Sequence, residues 1–69
     1  MLDNKSLVVL AYLKNYFKTN SNPITALEIK IKGLNIADID EAIKTLDDNG
    51  YINLTEKQYI QPSVESVND

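Results

Sequence analysis

Residues 35–52 read NIADIDEAIKTLDDNGYI, a stretch that carries a helix start, a helix stop and the beginning of a strand. Asn35 suits the N-cap, because its side-chain oxygen can accept from an otherwise unpaired N–H of the first turn. Asp38 stands three residues on, where an acidic side chain reaches back to the cap, and Leu34 with Ile39 brackets the start as a hydrophobic staple. At about 100° per residue, Ile36, Ile39, Ala42, Ile43 and Leu46 fall on one face. Asn49-Gly50 closes the helix through a residue free to take positive φ. Beyond Gly50 the period changes, and Tyr51-Ile52-Asn53-Leu54 reads as a strand.

The same grammar extends toward the N-terminus. Thr25 and Glu28 have the T-x-x-E spacing of a capping box, with Ile24 and Ile29 placed as its staple. A short second helix is therefore expected after Thr25, ending at Gly33. Ile24 is positioned to add one residue of strand before the cap. A first helix is expected over residues 4–18, with Asp3 as N-cap and Leu2 and Leu7 as staple. Its core stripe is Val9, Leu10, Leu13, Tyr16 and Phe17, and Asn20-Ser-Asn-Pro23 breaks it.

Toward the C-terminus, Gln58-Tyr-Ile-Gln61 reads as a second strand joined to the first by Thr55-Glu56-Lys57, a connection suited to a tight hairpin. Pro62 ends that strand, and residues 63–69 are polar enough to read as a flexible tail. One domain over residues 1–62 follows. The fold class is α+β, mostly α: a three-helix bundle with a C-terminal two-stranded β-hairpin.

Composition narrows the chemistry. Sixty-nine residues lie near the lower size at which a single core folds unaided. Apolar residues are 43% and charged residues 25%, the balance of an ordinary soluble globule. Cys and His are absent, which removes disulfides, zinc sites and imidazole acid–base chemistry. No glycine-rich phosphate loop and no nucleophile–base pair is readable, so the expectation is no enzyme, no cofactor and no metal. Paired carboxylates such as Asp47-Asp48 lack the convergent oxygens that a hard cation needs. The longest apolar run, Leu7 to Leu13, is far shorter than the roughly 20 residues of a membrane span. A cytoplasmic protein without a membrane segment is expected.

The order helix, short helix, tight turn, helix, glycine-aromatic-isoleucine and hairpin resembles the winged-helix (winged helix-turn-helix) domains of bacterial transcription regulators. Ile24–Ile29 (ITALEI), Gly33-Leu34, Ile39–Leu46 (IDEAIKTL) and Asn49–Ile52 (NGYI) carry the resemblance, which spans about residues 5 to 61. It implies a helix-turn-helix whose third helix lies in the DNA major groove and whose wing is the hairpin. Asn35, Ile36, Ala37, Asp38, Glu41, Lys44 and Thr45 match the positions that face bases and phosphates in such domains. This chain departs from their pattern by placing Asp38 and Glu41 there, where neutral polar or basic residues are typical.

Charge then divides two functional expectations. Between Asn35 and Asn49 five acids (Asp38, Asp40, Glu41, Asp47, Asp48) face one cation, Lys44. The whole chain has no Arg and a net charge of −3, whereas useful duplex affinity rests on about six to ten phosphate contacts. The favoured expectation is a protein-interaction module. Its partner surface is Asp38, Glu41, Lys44, Thr45 and Asp48, and imitation of DNA charge or an inhibitory role is one form of it. The alternative is a dimeric, sequence-specific DNA-binding regulator using Asn35, Ala37, Lys44, Thr45 and Lys57. A bland account stands beside both: Asp40–Lys44 and Lys44–Asp48 are i,i+4 pairs on an ordinary solvated face. Leu7, Val8 and Ala11, with Tyr12 at their edge, lie off the core stripe and form a candidate homodimer patch, unless tail or wing covers them. Tyr12, Tyr16, Tyr51 and Tyr59 could stack on single-stranded bases, but no cationic groove accompanies them and packing is the expected role.

Overall fold

A computed structural model describes residues 2–55 and 63–68. Helix α1 (Asn4–Thr19) starts as its sequence directs: the extended backbone of Asp3 lets its carboxylate accept from the Ser6 N–H at 2.8 Å. It stops at Asn20, whose backbone N–H and side-chain amide both donate to the Tyr16 carbonyl, covering an oxygen the helix would otherwise leave open. Val9, Leu10 and Leu13 are buried, while Tyr16 and Phe17 are half-buried and meet edge to face with ring centres 4.9 Å apart. Leu7 of the expected staple remains half-exposed.

The second helix does not form. Residues after Thr25 make a single 3-10 turn (Ala26–Glu28), and the Thr25 side chain makes no capping hydrogen bond. Ile29 is already extended, at φ −82° and ψ 121°. The reason lies in the period: Ile29 is buried, Lys30 exposed, Ile31 half-buried and Lys32 exposed, an alternation that suits extended chain and not a helix face. Gly33 therefore serves a β-turn, in which the Leu34 N–H donates to the Ile31 carbonyl at 3.1 Å and φ of Gly33 is +93°.

Helix α2 (Ile36–Asp48) has both expected ends. The Asn35 side chain accepts from the Asp38 N–H at 2.8 Å, and the Asp38 carboxylate accepts from the Asn35 N–H at 3.3 Å, completing the capping box. At the C-terminus the Tyr51 N–H donates to the Leu46 carbonyl and the Gly50 N–H to the Asp47 carbonyl, with Gly50 at φ +78°. This is a Schellman motif, in which glycine takes the left-handed position without a Cβ penalty.

Strand β1 (Ile52–Leu54) pairs antiparallel with β2 (Val64–Val67) through Ile52↔Val67, Asn53↔Ser66 and Leu54↔Val64, with a bulge at Asn53/Leu54. Ile24 adds a third rung on the far side of β2, exchanging two backbone hydrogen bonds with Val64 at 3.0 and 2.7 Å. The stretch expected to be a flexible tail is thus part of the sheet. Val64 is fully buried, and the Asn68 N–H donates to the Tyr51 carbonyl. The expected strand Gln58–Gln61, the turn residues Glu56 and Lys57, and Pro62 lie outside the described residues.

One core joins these elements. Val9, Leu10 and Leu13 of α1 and Ile39, Ala42, Ile43 and Leu46 of α2 meet Ile24, Ala26, Ile29, Ile52 and Val64. Full burial of Leu13 or Leu46 contributes about 1.5–3 kcal/mol each, so α2 is held from both sides by α1 and by β1. Ser6 lies in the same interior with its hydroxyl fully buried and no hydrogen-bond partner among the described residues. The architecture is mostly helical α+β, with two helices and a two-stranded antiparallel sheet. It is compatible with a winged-helix-like plan, but two helices stand where three are expected. Among the described residues no helix is long and apolar enough to cross a membrane.

Candidate functional site

The solvent face of α2 follows from its buried face. With Ile39, Ala42, Ile43 and Leu46 turned inward, Glu41, Lys44 and Asp48 are exposed and Thr45 is half-buried. Glu41 and Asp48 stand seven residues apart, two turns along nearly the same line, about 10 Å along the axis.

The acids Asp38, Asp40, Glu41 and Asp48 of this helix have different neighbours. Asp38 binds the Asn35 N–H in the capping box and, from α1, the Lys5 ammonium at 2.9 Å. The Lys5 hydrogen bond, and then the Asn35 N–H, hold its carboxyl below the ordinary range. The same pair raises Lys5, with Glu41 adding a smaller, longer-range attraction. Asp40 takes the Lys44 ammonium at 3.3 Å. Among the described residues Lys44 pairs with Asp40 and not with Asp48, so only one of the two expected i,i+4 pairs forms. Glu41 and Asp48 make no ion pair with another described residue. Glu41 and Asp48 are thus the exposed carboxylates of this helix without an ion pair to another described residue.

The residues of the DNA alternative are not brought together as free donors. The Asn35 oxygen is occupied by the cap, the Lys44 ammonium lies against Asp40, and the Thr45 hydroxyl donates to the Glu41 carbonyl at 3.1 Å. Ala37 is exposed and offers only apolar contact. Lys57 lies outside the described residues. On α1, Leu7, Val8 and Ala11 are exposed, so among the described residues nothing covers that patch, whereas Tyr12 is half-buried against the core. Tyr16 is likewise half-buried, Tyr51 is exposed, and Tyr59 lies outside the described residues.

Lys5 is the residue that sequence reasoning missed. It is thirty-three positions from Asp38, and only the packing of α1 on α2 sets them together. No cluster of three or more potential metal ligands occurs among the described residues. What this face offers is ionic complementarity: two carboxylates on a rigid helix, with hydroxyl and ammonium groups between them. Comparison with protein-family profiles, with curated proteins and with solved structures found no match for the chain.

Proposed function

We propose that this chain is a small, non-enzymatic, winged-helix-type regulatory protein of the cytoplasm that works by binding another protein through the solvent face of α2. The observation that carries this reading is the exposed pair Glu41 and Asp48, aligned over two turns, without an ion pair among the described residues. In this reading Glu41 and Asp48 supply the ionic contacts, and Lys44 and Thr45 lie between them. Asp38 serves at the margin, since the cap and Lys5 already engage it. The partner presents a basic surface, and imitation of the charge of a DNA backbone is one way such a face would act. Juxtaposing these acids with phosphates would cost several kcal/mol where water is excluded.

The second reading, a dimeric DNA-binding regulator, draws on the Ile24 rung beside β2, which suits a winged-helix plan. Two measurements separate the readings. Fluorescence anisotropy with a random-sequence duplex at about 50 mM salt is expected to show no binding, and an affinity that falls steeply with salt would overturn the proposal. Affinity capture from the native host is expected to recover a basic protein with the natural chain. The Glu41→Lys/Asp48→Lys variant, confirmed as folded by circular dichroism, is expected to lose it.

A further inference from the structure

A second surface has the opposite chemistry. Between the 3-10 turn and the first turn of α2 lies an open cleft of about 360 Å³. Leu27 and Ile36 are 53% and 46% exposed at this cleft, and Ile31 and Leu34 are half-buried in it. These are large apolar side chains that the core leaves open to water, gathered in one concave place where binding sites form. Lys30 and Lys32 also line the cleft, both exposed, and neither makes an ion pair with another described residue. Among the described residues no carboxylate lines it, although the chain has ten acids against seven cations.

We propose that this cleft is a docking site for a short acidic segment of a partner protein, one that inserts apolar side chains between Leu27 and Ile36 and sets carboxylates against Lys30 and Lys32. The site is separate from the acidic face of α2 and does not rest on that reading. Charge complementarity selects the occupant: two cations and, among the described residues, no acid at an apolar cleft favour an anionic, amphipathic ligand. A nucleic acid is disfavoured because, among the described residues, no aromatic side chain lines the cleft to stack on bases. A second copy does not supply the ligand either. The α2 face is acidic but polar, and the exposed apolar residues of α1, Leu7, Val8 and Ala11, form a separate patch. Among the described residues, the acids of the one and the large apolar side chains of the other lie on different helices.

The alternation that prevents a second helix is what builds the cleft. Ile29 and Ile31 turn toward the protein while Lys30 and Lys32 turn to water, and Gly33 folds the chain back toward the start of α2. A regular helix here would have placed these side chains at different angles.

A random peptide library displayed on phage and selected against the full chain tests the proposal. The expected enrichment is of sequences that interleave Asp or Glu with Leu, Ile or Phe. A synthetic peptide of the enriched class is then titrated by fluorescence anisotropy. Leu27→Ser/Ile36→Ser and Lys30→Glu/Lys32→Glu are each expected to weaken it about tenfold or more, with circular dichroism unchanged because all four side chains are partly or fully exposed. Glu41→Lys/Asp48→Lys is expected to leave its affinity unchanged, which keeps this site distinct from the face of α2. No enrichment, enrichment of basic peptides, or binding that survives both cleft variants would overturn the proposal. So would tight binding of an oligothymidylate probe that Lys30→Glu/Lys32→Glu abolishes, which would assign the cleft to nucleic acid.

Discussion

Two segments of this chain open with the same grammar and fold differently. Thr25-x-x-Glu28 and Asn35-x-x-Asp38 both have the spacing of a capping box, each flanked by a hydrophobic staple. The second begins a helix of thirteen residues; the first yields one 3-10 turn. A cap satisfies a helix once it exists, but it does not supply the propagation that offsets the cost of nucleation. From Ile39 onward the apolar residues Ile39, Ala42, Ile43 and Leu46 keep a helical period, and every one of them reaches the core, while Ile36 stays exposed. After Thr25 only a few residues precede Gly33, and Ile-Lys-Ile-Lys alternates with the period of a strand. The lesson is that start signals mark where a helix can begin, whereas the period and length of the buried face decide whether it does.

The comparison can be broken in three ways. The largest effect is in packing: Leu46→Ala empties a fully buried position on α2 and is expected to cost about 2–5 kcal/mol in urea unfolding. Leu27→Ala, in the turn that replaces the missing helix, removes an exposed side chain and is expected to stay within about 0.5 kcal/mol. Equal costs would mean that the turn is packed as a helix would be.

The caps themselves give a smaller contrast. Asn35→Ala loses the bond to the Asp38 N–H and is expected to cost about 1 kcal/mol. Thr25→Ala loses no capping bond and is expected to change thermal stability little, so a matching loss there would restore the second helix.

The smallest effect is electrostatic and concerns the starts of α1 and α2. Asp3 is held low chiefly by the Ser6 N–H, and Asp38 by Lys5. Carboxyls lowered on folding contribute stability that is present above their ordinary value near 3.8 and is lost as pH falls through the lowered folded value. Lys5 is raised, so its contribution is present below its ordinary value of 10.5 and is lost as pH rises through the raised value. The thermal midpoint is therefore expected to fall on acidification below about pH 4. Asp38→Asn should flatten that fall, and an unchanged acid limb in this variant would show that Lys5 and the cap add nothing.

Much of the fold was legible because it is written locally. The Asp3 and Asn35 caps, the core stripes of both helices (apart from Ile36, which is exposed), the Gly50 stop and the strand at Ile52 each depend on neighbours a few residues away. Ile24 as a single strand residue was legible too, since it precedes a cap and is β-branched. At the candidate site, helical periodicity alone placed Glu41 and Asp48 outward. The engagement of Asp38 with Lys5 was not legible, because it depends on how α1 packs on α2. Nor was β2: residues 63–69 hold two valines among polar neighbours, and their strand character is supplied by β1 and Ile24 on either side.

The amino-acid sequence by itself determined where α1 and α2 start and stop, which of their faces are buried, and the excess of acid on α2. These properties arise from hydrogen bonds and periodicities within a few turns of chain. Only the tertiary structure decided that Ile24 pairs with Val64, that Val64–Val67 complete the sheet, and that Lys5 quenches Asp38 while Glu41 and Asp48 stay open. Each of those outcomes required partners far away in sequence, whose positions are set when the apolar faces close on a common core.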